Sequence, residues 1–251
     1  MTSNKNDNRA DDLKRALLAI RQLREKVTQL ESQAAEPVAI VGQSCRLPGG
    51  ADTPEKLWEL LQQGADATCE VPKERWDADA IYNPDPEAVG GAYVKRGGFL
   101  REPVDEFDPG FFGISPREAS AMDPMHRLLL ELAWEALEDA GIPPFGLEES
   151  LTGVFVGMSV SDYDVIQQGT GLSNIHSYRG TGTIASIAAG RISHFLGLQG
   201  PNFPVDTACS SGLVALVLAV EQLRQKKCNL ALVGAANMML SPEATIFLCR
   251  M

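Results

Sequence analysis

The sequence contains no apolar run of the ~18 residues that a membrane-spanning helix needs. Its first residues, MTSNKNDNRADD, are polar and lack the apolar core of a signal peptide. Cysteine is sparse, odd in number and without any CxxC spacing, which argues against a disulfide framework or a zinc site and favours the reducing cytoplasm. The five cysteines are Cys45, Cys69, Cys209, Cys228 and Cys249.

Basic residues are outnumbered, with 22 Lys and Arg against 33 Asp and Glu and a net charge of −11. A chain this acidic is a poor candidate for binding nucleic acid. The imbalance is uneven, because residues 1–36 hold seven basic and six acidic groups whereas the remainder holds 15 and 27. This difference predicts two parts, a helical segment over 1–36 and a globular part over 37–251.

The first part carries apolar residues at alternating spacings of three and four, typical of a heptad seam. The seam residues are Leu13, Ala16, Ile20, Leu23, Val27, Leu30 and Ala34. Branched residues at position a with Leu at d favour a parallel two-stranded coil, across which Lys26 and Glu31 can pair. About three heptads are marginal alone in water, so we predict a dimerising or docking coil that ends before Pro37. The alternative is an amphipathic helix that lies on its own domain.

The second part alternates predicted strands with predicted helices, which indicates a layered α/β fold with sheets buried on both faces. Apolar runs predict strands at 38–41, 152–159, 202–206 and 229–240. Capped segments predict helices at 53–64, 115–141, 181–197 and 211–228. Residues 65–114, rich in Gly, Pro and aromatic residues, predict a long irregular region with short strands.

Cys209 lies in VDTACSSGL, between an extended run and an apolar helical run. Unpaired amides and the helix dipole favour negative charge there, and helix N-termini can lower the pKa of a cysteine. Small neighbours would let a substrate approach, and a backbone N–H could hold an oxyanion. This placement predicts a nucleophilic thiol, with a buried structural cysteine as the alternative.

Several longer blocks resemble the β-ketoacyl synthase domain of modular type I polyketide synthases. They include EPVAIVGQSCRLPGGADTPEKLWELL, DEFDPGFFGISPREASAMDPMHRLLLELAWEALEDAGI and GTGTIASIAAGRISHFLGLQGPNFPVDTACSSGLVAL. The resemblance runs from Glu36 to Met251, and the preceding coil resembles the docking helix at the N-terminus of many such chains.

The resemblance implies a dimeric enzyme with the thiolase-like α/β/α/β/α fold, in which this chain supplies the first half only. It also implies that Cys209 accepts an acyl group from the phosphopantetheine arm of an acyl carrier protein. A malonyl-type extender then loses carbon dioxide and attacks the acyl thioester. No bound cofactor or metal is expected. The implied partners are the carrier protein, a second copy of the chain and, through the coil, an upstream polyketide synthase subunit.

The family's HGTGT and K-x-N-x-GH histidine blocks are absent from this sequence. The three histidines present fit neither block: His126 is expected at a helix start or on the surface, His176 in a polar loop, and His194 packed or solvated on a helix. We therefore expect a truncated ketosynthase that is inactive in condensation alone and folds poorly. Two other functions remain open, a fatty-acid-type condensing enzyme and a non-catalytic docking scaffold.

An acidic chain that receives an acidic carrier protein needs a local basic patch. The candidates by sequence are Lys95, Arg96, Arg101, Lys226 and Lys227.

Overall fold

The computed structural model describes residues 3–159, 161–169, 171 and 177–251. The first helix, α1, spans Ser3–Ala34, and every side chain described in it, over 14–29, is exposed. The predicted helix is therefore confirmed. Its described side chains do not pack on the rest of the chain, which counts against an amphipathic helix lying on its own domain. Within the described residues, no helix is both long and apolar enough to cross a membrane.

The predicted buried strand at 38–41 is wrong, because residues 36–46 form neither helix nor strand and Ile40 is 72% exposed. Hydrogen bonds to a helix replace strand pairing here. The Gln43 N–H donates to the Asp139 carboxylate at 2.8 Å, and the Ser44 hydroxyl donates to the Leu132 carbonyl at 2.7 Å.

The predicted helix at 53–64 is confirmed as α2 (Pro54–Gln63), which begins after Thr53, whose hydroxyl accepts the Lys56 N–H. Short elements follow over 65–114, as the composition of that region predicts. Strands β1 (Cys69–Glu70) and β2 (Arg96–Gly97) pair antiparallel, and α3 (Ala78–Ile81) lies between them in sequence. The region packs through its aromatic residues, such as Trp76 against Phe99.

The predicted helices at 115–141 are confirmed as α4 (Pro116–Ala119) and α5 (Pro124–Asp139). The predicted caps are also present, since the Ser115 hydroxyl accepts the Glu118 N–H and the Asp123 carboxylate accepts the Met125 N–H. These bonds satisfy backbone donors that have no partner inside a helix.

The central sheet is parallel, as the alternating pattern predicts. Strand β3 (Thr152–Gly157) lies between β4 (Asn202–Val205) and β5 (Leu230–Ala235). Gly157 is aligned with Val205 on one side and with Ala235 on the other. All three strands therefore end at the same edge of the sheet, where ligand and catalytic sites of α/β folds commonly lie.

Helices connect these strands. Helices α6 (Asp162–Gln168), α7 (Ser177–Thr183) and α8 (Ala185–Phe195) lie between β3 and β4 in sequence, while α9 (Ser211–Arg224) joins β4 to β5 and α10 (Glu243–Cys249) follows. The predicted helix at 181–197 is thus divided at Ile184, and α9 ends four residues before the predicted end.

Strand β3 is buried on both faces and forms the centre of the core. Phe155 faces α9, where it packs with Ala215 and Ala219, while Val154 and Val156 belong to a cluster on the opposite face with residues of α5 and α8. The result is three layers, α9, the sheet, and the α5 and α8 layer. Leu213, Leu216 and Val217 of α9 remain exposed.

His126 is at the start of α5, as expected, but it is buried rather than on the surface. Among the described residues, neither ring nitrogen has a hydrogen-bond partner. Burial, with a smaller effect from the nearby Arg191 guanidinium, lowers the pKa of His126 from 6.5 to about 4. The folded state therefore disfavours the imidazolium.

We predict that His126 makes the chain acid-sensitive. The unfolded chain binds the proton as pH falls below 6.5 and the folded chain only near 4, so stability is lost between those values. The loss from pH 7 to 4.5 is about 2–3 kcal/mol. Urea unfolding at pH 7 and at pH 4.5 should show that His126→Gln removes this loss of stability. The control His194→Gln, at an exposed position of α8, should leave the loss of stability unchanged. If His126→Gln loses as much stability between pH 7 and pH 4.5 as the parent chain, the prediction is contradicted.

Candidate active site

Cys209 lies on the turn between β4 and α9, at the edge where the three parallel strands end. The predicted extended run and helix are both confirmed, and the side chain of Cys209 is exposed. The thiol is two residues before the first residue of α9. The turn therefore presents the thiol to incoming molecules.

Two serines hold this turn together. The Ser211 hydroxyl accepts the Thr207 N–H at 2.9 Å and donates to the Ala208 carbonyl at 2.7 Å. The Ser210 hydroxyl donates to the Thr207 carbonyl at 2.7 Å. These bonds join the residues before Cys209 to those after it, so the backbone that carries the thiol is tied on both sides.

Ala208 adopts the left-handed conformation with φ +55°. This region costs a residue with a Cβ about 1–2 kcal/mol relative to its ordinary conformations. Strain of this kind persists only where the surroundings hold it, and it is concentrated at functional sites. The strained residue directly precedes Cys209 and sets the direction in which the chain leaves the turn.

The sheet and α9 approach each other closely at this turn. A Cβ on Gly157, the last residue of β3, would lie 2.7 Å from the backbone nitrogen of Gly212 and 2.7 Å from the carbonyl carbon of Ser211. Only glycine allows this contact. It places the first turn of α9 directly against the end of the central strand.

The N-terminal end of α9 has no side-chain cap. Ser210 occupies the cap position, but its hydroxyl does not accept a hydrogen bond from the helix. The first amides of the helix and its dipole therefore provide a partly positive environment next to Cys209. Such an environment stabilises a thiolate or a developing oxyanion.

The match to the family described as "Beta-ketoacyl synthase, N-terminal domain" covers residues 35–251. The chain belongs to the β-ketoacyl synthase family. It is 48% identical over 236 residues to mycoketide-CoA synthase from Mycobacterium tuberculosis, and 48% over 241 residues to pikromycin polyketide synthase component PikAII from Streptomyces venezuelae. Each alignment covers 94% of this chain and 6% of the relative.

A solved structure agrees with these relatives. The oxazolomycin ketosynthase domain from Streptomyces albus JA3453 superposes with a TM-score of 0.75 at 38% identity, over 84% of this chain and 36% of that domain. The comparisons confirm the resemblance to ketosynthase domains of modular type I polyketide synthases and the thiolase-like fold class. The chain spans about a third of that solved domain.

The other cysteines of this ketosynthase chain differ from Cys209 in their surroundings. Burial raises the pKa of the Cys45 thiol, although the neighbouring Arg46 guanidinium opposes the rise. Burial also raises the pKa of Cys228, just beyond α9. Cys69 on β1 is exposed, and Cys249 is partly exposed in α10. Among the five, only Cys209 lies at the start of a long helix.

The two described histidines lie in different surroundings. His126 is buried in α5, His194 is exposed on α8, and His176 lies outside the described residues. No group of three or more metal-ligating side chains occurs within the described ranges. Two surface clefts, one around Tyr82 and Arg250 and one around Arg46 and Glu135, do not include Cys209. The candidate site is therefore the exposed turn itself.

The basic residues predicted to receive a carrier protein differ in their contacts and in their distance from Cys209. Lys95 forms an ion pair with Asp79 at 3.0 Å, and Arg96 donates to the Thr68 carbonyl at 2.8 Å. Lys226 and Lys227 follow α9, whose 14 residues separate them from Cys209 by about 21 Å. The carrier-protein surface remains a hypothesis.

Sequence reasoning missed two polar residues that contact the turn. The Asp206 carboxylate accepts hydrogen bonds from the Ala208 N–H and the Ser159 hydroxyl. An aspartate two residues before an N–H donor is a local signal for the first bond. The second joins residues 47 positions apart and has no local signal.

We predict that Gly157→Ala destabilises the chain by about 1–3 kcal/mol, because the new methyl group would overlap backbone atoms of α9. Urea unfolding measures the loss. The matched control is Gly190→Ala inside α8, where a Cβ would meet no atom within 4 Å. This substitution should stabilise the folded chain by about 0.5–1 kcal/mol, because alanine favours a helix more than glycine does. Equal effects at the two positions would show that the contact between β3 and α9 is not tight.

Proposed function

We propose that this chain carries the acyl-accepting cysteine of a modular polyketide synthase ketosynthase, acting in the cytoplasm. The Cys209 thiolate attacks the carbonyl carbon of an acyl thioester on the phosphopantetheine arm of an acyl carrier protein. The pantetheine thiol leaves, and the acyl group becomes a thioester of Cys209. The observation that carries this proposal is the exposed thiol on a strained turn at the uncapped start of α9.

In the complete ketosynthase, a malonyl-type extender loses carbon dioxide and its carbanion attacks the acyl carbonyl. The C–S bond to Cys209 breaks, and the acyl chain is longer by two carbons. We infer that residues 1–251 carry out the first transfer but not this condensation. The inference rests on the absence of both histidine blocks and on the burial of His126.

We predict that an acyl-N-acetylcysteamine thioester acylates the chain at Cys209, as peptide mapping by mass spectrometry would show. Cys209→Ala should abolish the adduct. Cys69→Ala, which removes another exposed cysteine, should leave it intact. With malonyl-carrier protein added, we expect no carbon dioxide release or condensation product. An adduct that persists in Cys209→Ala would refute the first transfer, and turnover would refute the histidine argument.

We also infer that α1 pairs with a second helix. Its seam residues Ile20, Leu23 and Val27 are 48–63% exposed and have no core to cover them. The Arg21 and Glu25 side chains form an i to i+4 ion pair at 3.1 Å on its surface. Apolar seams of this kind are buried by a second strand, which supports a parallel homodimeric coil that docks on an upstream subunit.

We predict that Leu23→Asp, at position d, weakens self-association of the chain at least tenfold, because it would bury a charge in the seam. Sedimentation equilibrium over a range of concentrations measures the change. Leu18→Asp is the matched control, since Leu18 is equally exposed at 60% but lies outside positions a and d. A monomeric parent chain, or equal weakening by both substitutions, would contradict the coil.

A further inference from the structure

The Asp206 carboxylate connects the turn that carries Cys209 to a different strand. Its Oδ1 accepts the Ala208 N–H at 3.0 Å and the Ser159 hydroxyl at 2.8 Å. Asp206 directly follows β4, whereas Ser159 comes two residues after the end of β3. One oxygen atom therefore binds both the strained residue and the neighbouring strand's extension.

The Ser159 side of this connection is well fixed. The Met158 N–H donates to the Val205 carbonyl at 3.0 Å, which extends the pairing of β3 with β4 past Gly157. On the other side, the Ala236 N–H donates to the Gly157 carbonyl at 3.1 Å. The backbone leading to Ser159 is thus held by both neighbouring strands, so its hydroxyl can serve as a fixed anchor.

The Ala208 side is the part that needs support. Ala208 has a left-handed φ of +55°, which residues with a Cβ adopt at a cost. The bond from its N–H to Asp206 fixes the peptide plane through which the chain enters Ala208. A hydrogen bond between residues i and i+2 from an Asp side chain is a recognised means of fixing such a turn.

We propose that Asp206 and Ser159 are positioning residues that hold the left-handed Ala208 and thereby aim the Cys209 thiol. The proposal rests on the proposed function only in treating Cys209 as the nucleophile. Asp206 acts as a hydrogen-bond acceptor.

The state of Asp206 agrees with this role. The bond from the Ala208 N–H, followed by that from Ser159, lowers the pKa of the Asp206 carboxyl from 3.8. The carboxylate therefore accepts both bonds at every pH above that value, and they would be lost only as pH falls through the lowered pKa. Acyl transfer measured above pH 5 should show no titration from Asp206.

The test compares the limiting rate and the KM of Cys209 acylation by an acyl-N-acetylcysteamine thioester. We expect Asp206→Ala and Ser159→Ala to lower the limiting rate about tenfold or more with KM within about twofold, because misaimed nucleophiles lose rate rather than binding. Asp206→Asn and Ser159→Thr keep the acceptor and the hydroxyl, and each should retain at least about a third of the rate.

The matched control is Asp85→Ala. It removes an equivalent bond, from the Glu87 N–H to the Asp85 carboxylate at 3.0 Å, in a loop far along the chain from Cys209. The control should leave the rate unchanged. A rate in Asp206→Ala within twofold of the parent overturns the proposal, as does an Asp206→Asn variant as slow as Asp206→Ala, which would assign the effect to charge.

Amide hydrogen exchange separates this proposal from the proposed function. Faster exchange of the Ala208 amide in Asp206→Ala and Ser159→Ala, but not in Asp85→Ala, is expected whether or not Cys209 accepts an acyl group. If the parent chain is not acylated, the function fails and exchange alone decides the proposal. Unchanged exchange at Ala208 overturns it.

Discussion

The contact between the end of β3 and the first turn of α9 is the constraint on which the site depends. Gly157 lets the backbone of Ser211 and Gly212 approach the sheet at a distance that no side chain would allow. Because α9 is held there, the chain has only five residues, 206–210, in which to leave β4 and enter the helix. The left-handed Ala208 and the exposed Cys209 follow from this short connection.

Hydrogen bonds stabilise the strained connection at several points. Ser210 and Ser211 close it from the helix side, and Asp206 closes it from the strand side. Each bond is individually worth about 1 kcal/mol, comparable with the strain at Ala208. Together they keep the thiol at the end of α9 that has no side-chain cap.

The two parts of the chain expose apolar surface for different reasons. Helix α1 exposes the described residues of its seam, such as Leu23, and α9 leaves Leu213 and Val217 more than half exposed. The solved ketosynthase domain matches this chain over 36% of its own length. The three layers described here thus correspond to part of that larger thiolase-like domain, and the exposed side of α9 is the side opposite the sheet.

The sequence by itself determined the features that depend on neighbouring residues. Caps at Thr53, Ser115 and Asp123, the all-buried β3, the helix α1 and the position of Cys209 before α9 were all predicted, because turn chemistry and periodicity are local. Tertiary structure alone decided that 38–41 is not a strand, that His126 is buried and that Ser159 reaches Asp206. Those outcomes depend on which segments, distant in sequence, pack against each of these residues. A local sequence pattern does not specify that packing partner.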